Sequence, residues 1–211
     1  MPTQDEIFTA SEADRWFERN KHVLGELPAD DIPARLVELY RLRPRSILEI
    51  GAANGYRVAE LAKRTGARGV AIEPSAAAIA DGAQRFSHVT FHQGEARALP
   101  VEQTFELVIV NFVLHWIDRK NLLRCAAEID RVVADGGHLV LGDFHPWRPA
   151  RNVYHHLPDA GVMTFKQDYA QLFLASELYQ PVALLTSHGR ELDASVADGE
   201  RYGVSLLRKR L

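Results

Sequence analysis

The sequence predicts an α/β fold: a mainly parallel sheet of seven strands with helices on both faces, an antiparallel strand at the carboxyl end, and a helical N-terminus. Three observations carry this expectation. From Ser46 to Asp143, short apolar runs alternate with amphipathic stretches, and strands joined by such crossovers run parallel. A loop rich in glycine and alanine follows the first run. Beyond residue 180, two apolar runs flank charged and small residues, the signature of a hairpin.

Residues 1–45 read as helical. Thr9 and Ser11 stand in capping-box register with Glu12 and Asp14, and Trp16, Phe17, Asn20, Val23 and Leu24 follow. Asp30 and Asp31 with Pro33 announce a second helix, which Arg43-Pro44 closes. Strands are expected at Ile47–Ile50, Gly69–Glu73, Val89–His92, Phe105–Val110 and His138–Gly142. Between them lie helices over Val58–Thr65, from the Ser75 cap to about Phe86, and over Leu122–Val133. A mixed segment, a helix near Gln167–Ser176, and the hairpin strands Val182–His188 and Tyr202–Leu207 complete the chain.

Composition narrows the class. Of 211 residues, 46% are hydrophobic and 25% charged, which excludes disordered and collagen-like chains. The net charge of −3 calls for no polyanionic partner, and the basic terminus Arg208-Lys209-Arg210 is too short to support nucleic-acid binding. A lone Cys125 excludes a disulfide framework and a cysteine-rich metal site. The early acidic residues do not resemble a secretory signal, and Leu107–Ile117 is far shorter than a membrane span. The expectation is a soluble cytoplasmic protein, monomer or homodimer, with no membrane or nucleic-acid partner.

In open α/β sheets, ligands bind beyond the carboxyl ends of the strands. The loop Glu49-Ile50-Gly51-Ala52-Ala53-Asn54-Gly55 lies there, and its small residues let backbone approach a ligand. Glu73, 18 residues beyond Gly55, ends the second strand, where a carboxylate can accept from both hydroxyls of a ribose. Gly94-Glu95-Ala96 follows the third strand, where an acid and an amide can read an adenine edge. The dinucleotide fingerprint G-x-G-x-x-G is absent, so a nicotinamide cofactor and dehydrogenase chemistry fit poorly.

These motifs together resemble the class I S-adenosylmethionine-dependent methyltransferases. The acid-x-Gly-x-Gly-x-Gly motif of that family is similar to Glu49–Gly55, with Ala53 in place of its central glycine. The likeness continues through Glu73, Gly94-Glu95-Ala96, Val110 to Ile117, and Leu123 to Asp143. It covers residues 45–144 well and the rest in topology only. The resemblance implies a Rossmann-like fold and S-adenosyl-L-methionine as cofactor, with S-adenosyl-L-homocysteine as product. It places Glu49 and Gly51 at the methionine amino and carboxylate end, Glu73 with Pro74 at the ribose, and Glu95 with Ala96 at the adenine. Ala52, Ala53, Asn54, Gly55 and Gly94 would frame the cofactor, with Asn111 and Phe112 beside the methionine portion.

The expected organisation is then one domain over residues 1–211: a helical cap (1–45), a cofactor core (46–144), an acceptor-site insert (145–180) and a hairpin (181–211). A hydroxyl acceptor must lose its proton, and histidine titrates near working pH. His115, after the fourth strand, and His145, after the fifth, are the candidate bases. Trp16, Arg19, Trp116, Trp147, Tyr154, His155, His156, Lys166 and Tyr169 are the candidate acceptor-site residues. No metal is expected, because His155 and His156 on an extended chain point to opposite faces. The expected activity is methyl transfer to a small molecule, a sugar or secondary metabolite, with oxygen preferred over nitrogen. The alternative is a cofactor-binding module without transfer activity that works through a partner protein.

Overall fold

The computed structural model describes residues 3–193, 195, 199 and 201–211. Along the chain, α1 (Gln4–Ile7), a π-helical turn (Phe8–Glu12), α2 (Ala13–Asn20) and α3 (Ile32–Leu39) come first. Then follow β1 (Ser46–Ile50), α4 (Tyr56–Thr65), β2 (Arg68–Glu73), α5 (Ala76–Arg85), β3 (Val89–Gln93), β4 (Phe105–Asn111), α6 (Leu122–Val132) and β5 (Val133–Phe144). The last third holds β6 (Ala150–Val153), β7 (Met163–Lys166), α7 (Ala170–Leu174), β8 (Tyr179–His188), β9 (Glu191–Leu192) and β10 (Arg201–Lys209).

The sheet order is β3-β2-β1-β4-β5-β10-β8-β9. β1 to β5 run parallel, and β10 lies antiparallel between β5 and β8. The seven expected strands are present, and the two-residue β9 adds a short eighth at the edge. Part of the stretch joining β8 to β10 (194, 196–198 and 200), read from sequence as charged and small connecting residues, lies outside the described residues, as do residues 1 and 2.

Alternation along the strands divides the core. Leu48, Ile50, Val108, Val110, Leu139 and Leu141 face α6, where Cys125 and Ile129 are fully buried. Ile47, Ala71, Leu107, Ile109 and Val140 face the other way, onto Leu36 of α3 and Val58 and Leu61 of α4. Period-two side chains on a doubly covered sheet require this split.

The N-terminus starts earlier than the sequence suggests. Thr3, not Thr9 or Ser11, caps the first helix in a capping box with Glu6. Thr9 instead donates its hydroxyl to the Asp5 carbonyl one turn back, so the chain stays helical through the π turn. Asp31 and Ser75 cap α3 and α5 as their spacing predicts.

The mixed segment after β5 forms a β6–β7 ribbon, which β6 hides in sequence because all four of its residues are exposed. The ribbon braces the N-terminal helices. Gln4 donates to the carbonyls of Trp116 and Met163 and accepts from Met163 N–H, while Asp5 accepts from Asp118 N–H and the Asn121 amide. No described helix is long and apolar enough to cross a membrane.

Candidate active site

A cavity of about 390 Å³ opens at the carboxyl ends of β1 to β5. On the β1–β3 side it is lined by Gly51, Ala52, Ala53, Glu73, Pro74, Gly94, Glu95 and Ala96. On the β4–β5–β10 side the lining is Asn111, Phe112, Val113, His115, Trp116, Phe144 and Tyr202. Asp5, Phe8, Thr9, Ala13 and Trp16 of the N-terminal helices also line it, as do Tyr56, Arg57 and Arg97.

The loop after β1 turns sharply, with Gly51, Ala53 and Gly55 at φ of 69°, 50° and 74°. Gly51 is required twice, for its left-handed backbone and because a Cβ there would overlap the Val113 side chain. Ala53 accepts the strain of that region, of order 1–2 kcal/mol, and buries its methyl group against Phe17, Leu24 and Ala78. Its N–H is held by Glu73 Oε2 at 2.8 Å, and Ser75 N–H by Glu73 Oε1 at 3.0 Å. Each oxygen of Glu73 keeps acceptor capacity toward the cavity. Burial pushes this carboxyl up to about 7, against the pull of the two N–H groups.

Glu49 occupies a different place from the one its motif position implies. The pleat of β1 turns its side chain onto α4, where it is 1% exposed, ion-paired to Arg57, and accepts Val58 N–H at 3.1 Å. Arg57 also binds Asp31 through Nε and Nη2, the latter at 2.9 Å. Burial pushes the Glu49 carboxyl up while Arg57 pulls it down. Arg57 itself lines the cavity and Glu49 does not, so the positive member of the triad is the one available to a ligand. Asn54 and Gly55 are also off the wall: Asn54 ties the loop to Leu24 and Asp81, and Gly55 backs onto Phe91. Glu95 lines the cavity with its carboxylate gripped by Arg97 at 2.7 and 3.2 Å.

On the other side, Asp143 takes His115 N–H at 3.1 Å and Phe144 N–H at 2.8 Å. Its Oδ1 lies 3.0 Å from His115 Nδ1, off the line of a hydrogen bond. His115, with its Nδ1 beside this carboxylate, lines the cavity. Asn111 lines the same wall, its buried Oδ1 unpartnered and packed over Gly142, where any Cβ would overlap it.

The remaining candidates divide sharply. Of the candidate acceptor-site residues, Trp16 and Trp116 line the cavity and the others do not. His145 stacks over Gly203 between Arg201 and Asp168 and does not line the cavity. Arg19 is spent on Glu12 and Tyr154, and Tyr154 donates to Glu12 at 3.0 Å beneath Trp116. Tyr169 is a core residue bonded to the Phe165 carbonyl. Trp147 is 69% exposed with Arg201 over its ring, and Lys166 donates to the Gly199 carbonyl. His155 and His156 do not point apart, because they sit in a turn with ring centroids 3.9 Å apart. Among the described residues no group of three or more His, Cys, Asp or Glu is arranged to hold a metal ion.

Sequence reasoning missed Arg57, Phe144, Tyr202 and the Asp5–Ala13 stretch. Tyr202 pairs directly with Phe144 across β5 and β10, a register that only the paired sheet reveals. Asp5 and Phe8 precede the first expected cap.

Residues 47–137 match the family model described as a methyltransferase domain. That stretch runs from β1 into β5 and carries every loop on the β1–β4 side of the cavity. Residues 47–137 are thus similar to a methyltransferase domain, set within a Rossmann-like sheet. No curated protein sequence matches it.

Among solved structures, it is similar over 99% of its length to 91% of the 1,6-didemethyltoxoflavin-N1-methyltransferase of Burkholderia thailandensis (TM-score 0.76, 19% identity), solved with 1,6-didemethyltoxoflavin and S-adenosylhomocysteine bound. It is also similar, over 99% of its length and 98% of the other chain, to the N-methyltransferase NodS of Bradyrhizobium japonicum with S-adenosylhomocysteine (TM-score 0.66, 21% identity). A TehB-like SAM-dependent methyltransferase of Corynebacterium glutamicum matches at TM-score 0.65 and 18% identity, over 96% of this chain and 98% of that one.

Proposed function

We propose that the protein moves a methyl group from S-adenosyl-L-methionine to a small-molecule acceptor, releasing S-adenosyl-L-homocysteine, and that residues 1–211 act as one unit. The observation that carries this reading is Glu73: a buried carboxylate, braced by Ala53 and Ser75 N–H, that keeps acceptor capacity at the edge of a glycine-turned loop. A ribose diol can donate to that carboxylate, and Gly51, without a Cβ, lets the nucleoside approach. Arg57 suits the carboxylate of the methionine portion, and Glu95 with Ala96 the adenine. The cofactor, when bound, supplies a methyl group already activated by its sulfonium, so the protein mainly positions the acceptor and excludes water.

His115 is the general base of this proposal, with Asp143 orienting its ring. A base at this point serves an N–H acceptor as well as an O–H acceptor. The preference for oxygen drawn from sequence rested on His115 and His145 as candidate bases and on the polar insert, and two of the structures compared above carry N-methyltransferase names. Binding of S-adenosyl-L-homocysteine by calorimetry, then transfer of labelled methyl from the cofactor to a metabolite pool, tests the reading. His115→Ala should slow transfer roughly a hundredfold or more and leave homocysteine-product affinity unchanged. A wild-type protein with no affinity for that product contradicts the proposal, and tight binding without any transfer favours the inactive module.

A further inference from the structure

The β4–β5–β10 side of the cavity is walled by four rings. Phe112, His115, Phe144 and Tyr202 stand within 4.9–6.0 Å of their neighbours, with interplanar angles of 67–90°. All four line the cavity, and Phe112 is 39% exposed. Holding Phe112 there costs backbone strain, because this non-glycine residue sits at φ 56° with its N–H fixed to the Gly142 carbonyl at 2.8 Å. Phe112 and Tyr202 come from different strand ends, and their convergence is a built feature rather than a by-product of one helix face.

We infer that the methyl acceptor is a planar aromatic or heteroaromatic molecule, neutral or anionic, that carries an N–H or O–H at its edge beside His115. The inference rests on the methyltransferase reading above and names its substrate class. Perpendicular rings offer both edges and faces, and another π system gains from both in a way that an aliphatic chain does not. A sugar fits badly. Its many hydroxyls each need a partner, and any left unpaired carries its full desolvation penalty. Against them this wall sets mostly carbon, its polar side-chain groups being those of Asn111, His115, Trp116 and Tyr202.

A cationic amine also fits badly, since Lys166 Nζ stands 4.3 Å from the Phe144 ring centroid and already occupies the attraction of that ring for positive charge. An imidazole can take the proton of an aromatic N–H or O–H as the bond to the methyl carbon forms. That proton passes to His115 Nε2, the freed lone pair forms the bond to the methyl carbon, and the electrons of the broken carbon–sulfur bond return to sulfur.

The test uses the full chain and two probe sets, planar N-heteroarenes and phenols against sugars and aliphatic amines of matched size. S-adenosyl-L-homocysteine calorimetry comes first, and a failure there strikes the methyltransferase reading itself. With that binding intact, methyl transfer to at least one planar probe should exceed transfer to every aliphatic probe by roughly tenfold in kcat/KM. Tyr202→Leu should cut the planar rate by a similar factor while product affinity stays unchanged. Equal or better transfer to the aliphatic set overturns the inference. So does a protein that binds the product yet neither binds any planar probe nor methylates one when supplied with S-adenosyl-L-methionine.

Discussion

The strand ends of β1–β3 and the segment after β5 both bunch polar side chains in the sequence, and the fold uses them in opposite ways. At the β1–β3 ends, short loops leave each side chain close to where its strand places it, so Gly51, Ala52, Ala53, Glu73, Glu95 and Ala96 all reach one cavity. After β5, the chain runs out into a ribbon whose polar groups engage the N-terminal helices: Tyr154 meets Glu12, and Met163 meets Gln4. Chemistry-bearing residue types therefore mark a site only where the backbone is held by the sheet. Within the first region the pleat imposes a second division, between Glu49, which braces the fold, and Glu73, which faces the ligand.

Four changes probe this contrast. The largest effect is expected from Arg57→Ala, which leaves Glu49 and Asp31 buried without their cation. Chemical denaturation should show a loss of about 3–5 kcal/mol, and a loss below 1 kcal/mol would mean that the triad is not a structural element. Glu73→Ala should instead cost about 1.5–3 kcal/mol in S-adenosyl-L-homocysteine binding, read by calorimetry, because the ribose loses charge-assisted bonds.

pH provides a third handle. Burial pushes the Glu73 carboxyl up to about 7, and its ionised form is the one that accepts from hydroxyls. Product affinity should weaken by about tenfold from pH 8 to pH 6, and Glu73→Gln should flatten that slope. The sign for folding is opposite. A carboxyl raised by the fold contributes stability at low pH that is lost as pH rises from the ordinary carboxylate range through about 7. The smallest effect belongs to the insert: Tyr154→Phe should cost about 1 kcal/mol of stability through Glu12, with product affinity untouched. A large loss of affinity there would show that the ribbon does reach the ligand.

Much of the fold was legible because the sheet is covered on both faces, so its strands read as short apolar runs bounded by caps and glycines. Asp31, Ser75 and Gly51 announced themselves through local rules. The N-terminus was misread because Thr9 looks like a cap, while its hydroxyl bonds back within a continuing helix. β6 was invisible because an exposed ribbon strand has no buried face to impose alternation. In the site, the loop after β1 and Glu73 could be placed from spacing alone. The aromatic wall could not, since Tyr202 meets Phe144 through an antiparallel register set about 60 residues later in the chain. Glu49 fitted the motif, and only the pleat together with Arg57 reveals its structural work.

The most direct test of the division between the two glutamates is a crystal structure with S-adenosyl-L-homocysteine bound. The account predicts ribose hydroxyls within hydrogen-bond distance of Glu73, with Glu49 still paired to Arg57 beneath the loop. Product density away from Glu73, or a Glu49 released from Arg57 to hold the ligand, would contradict it.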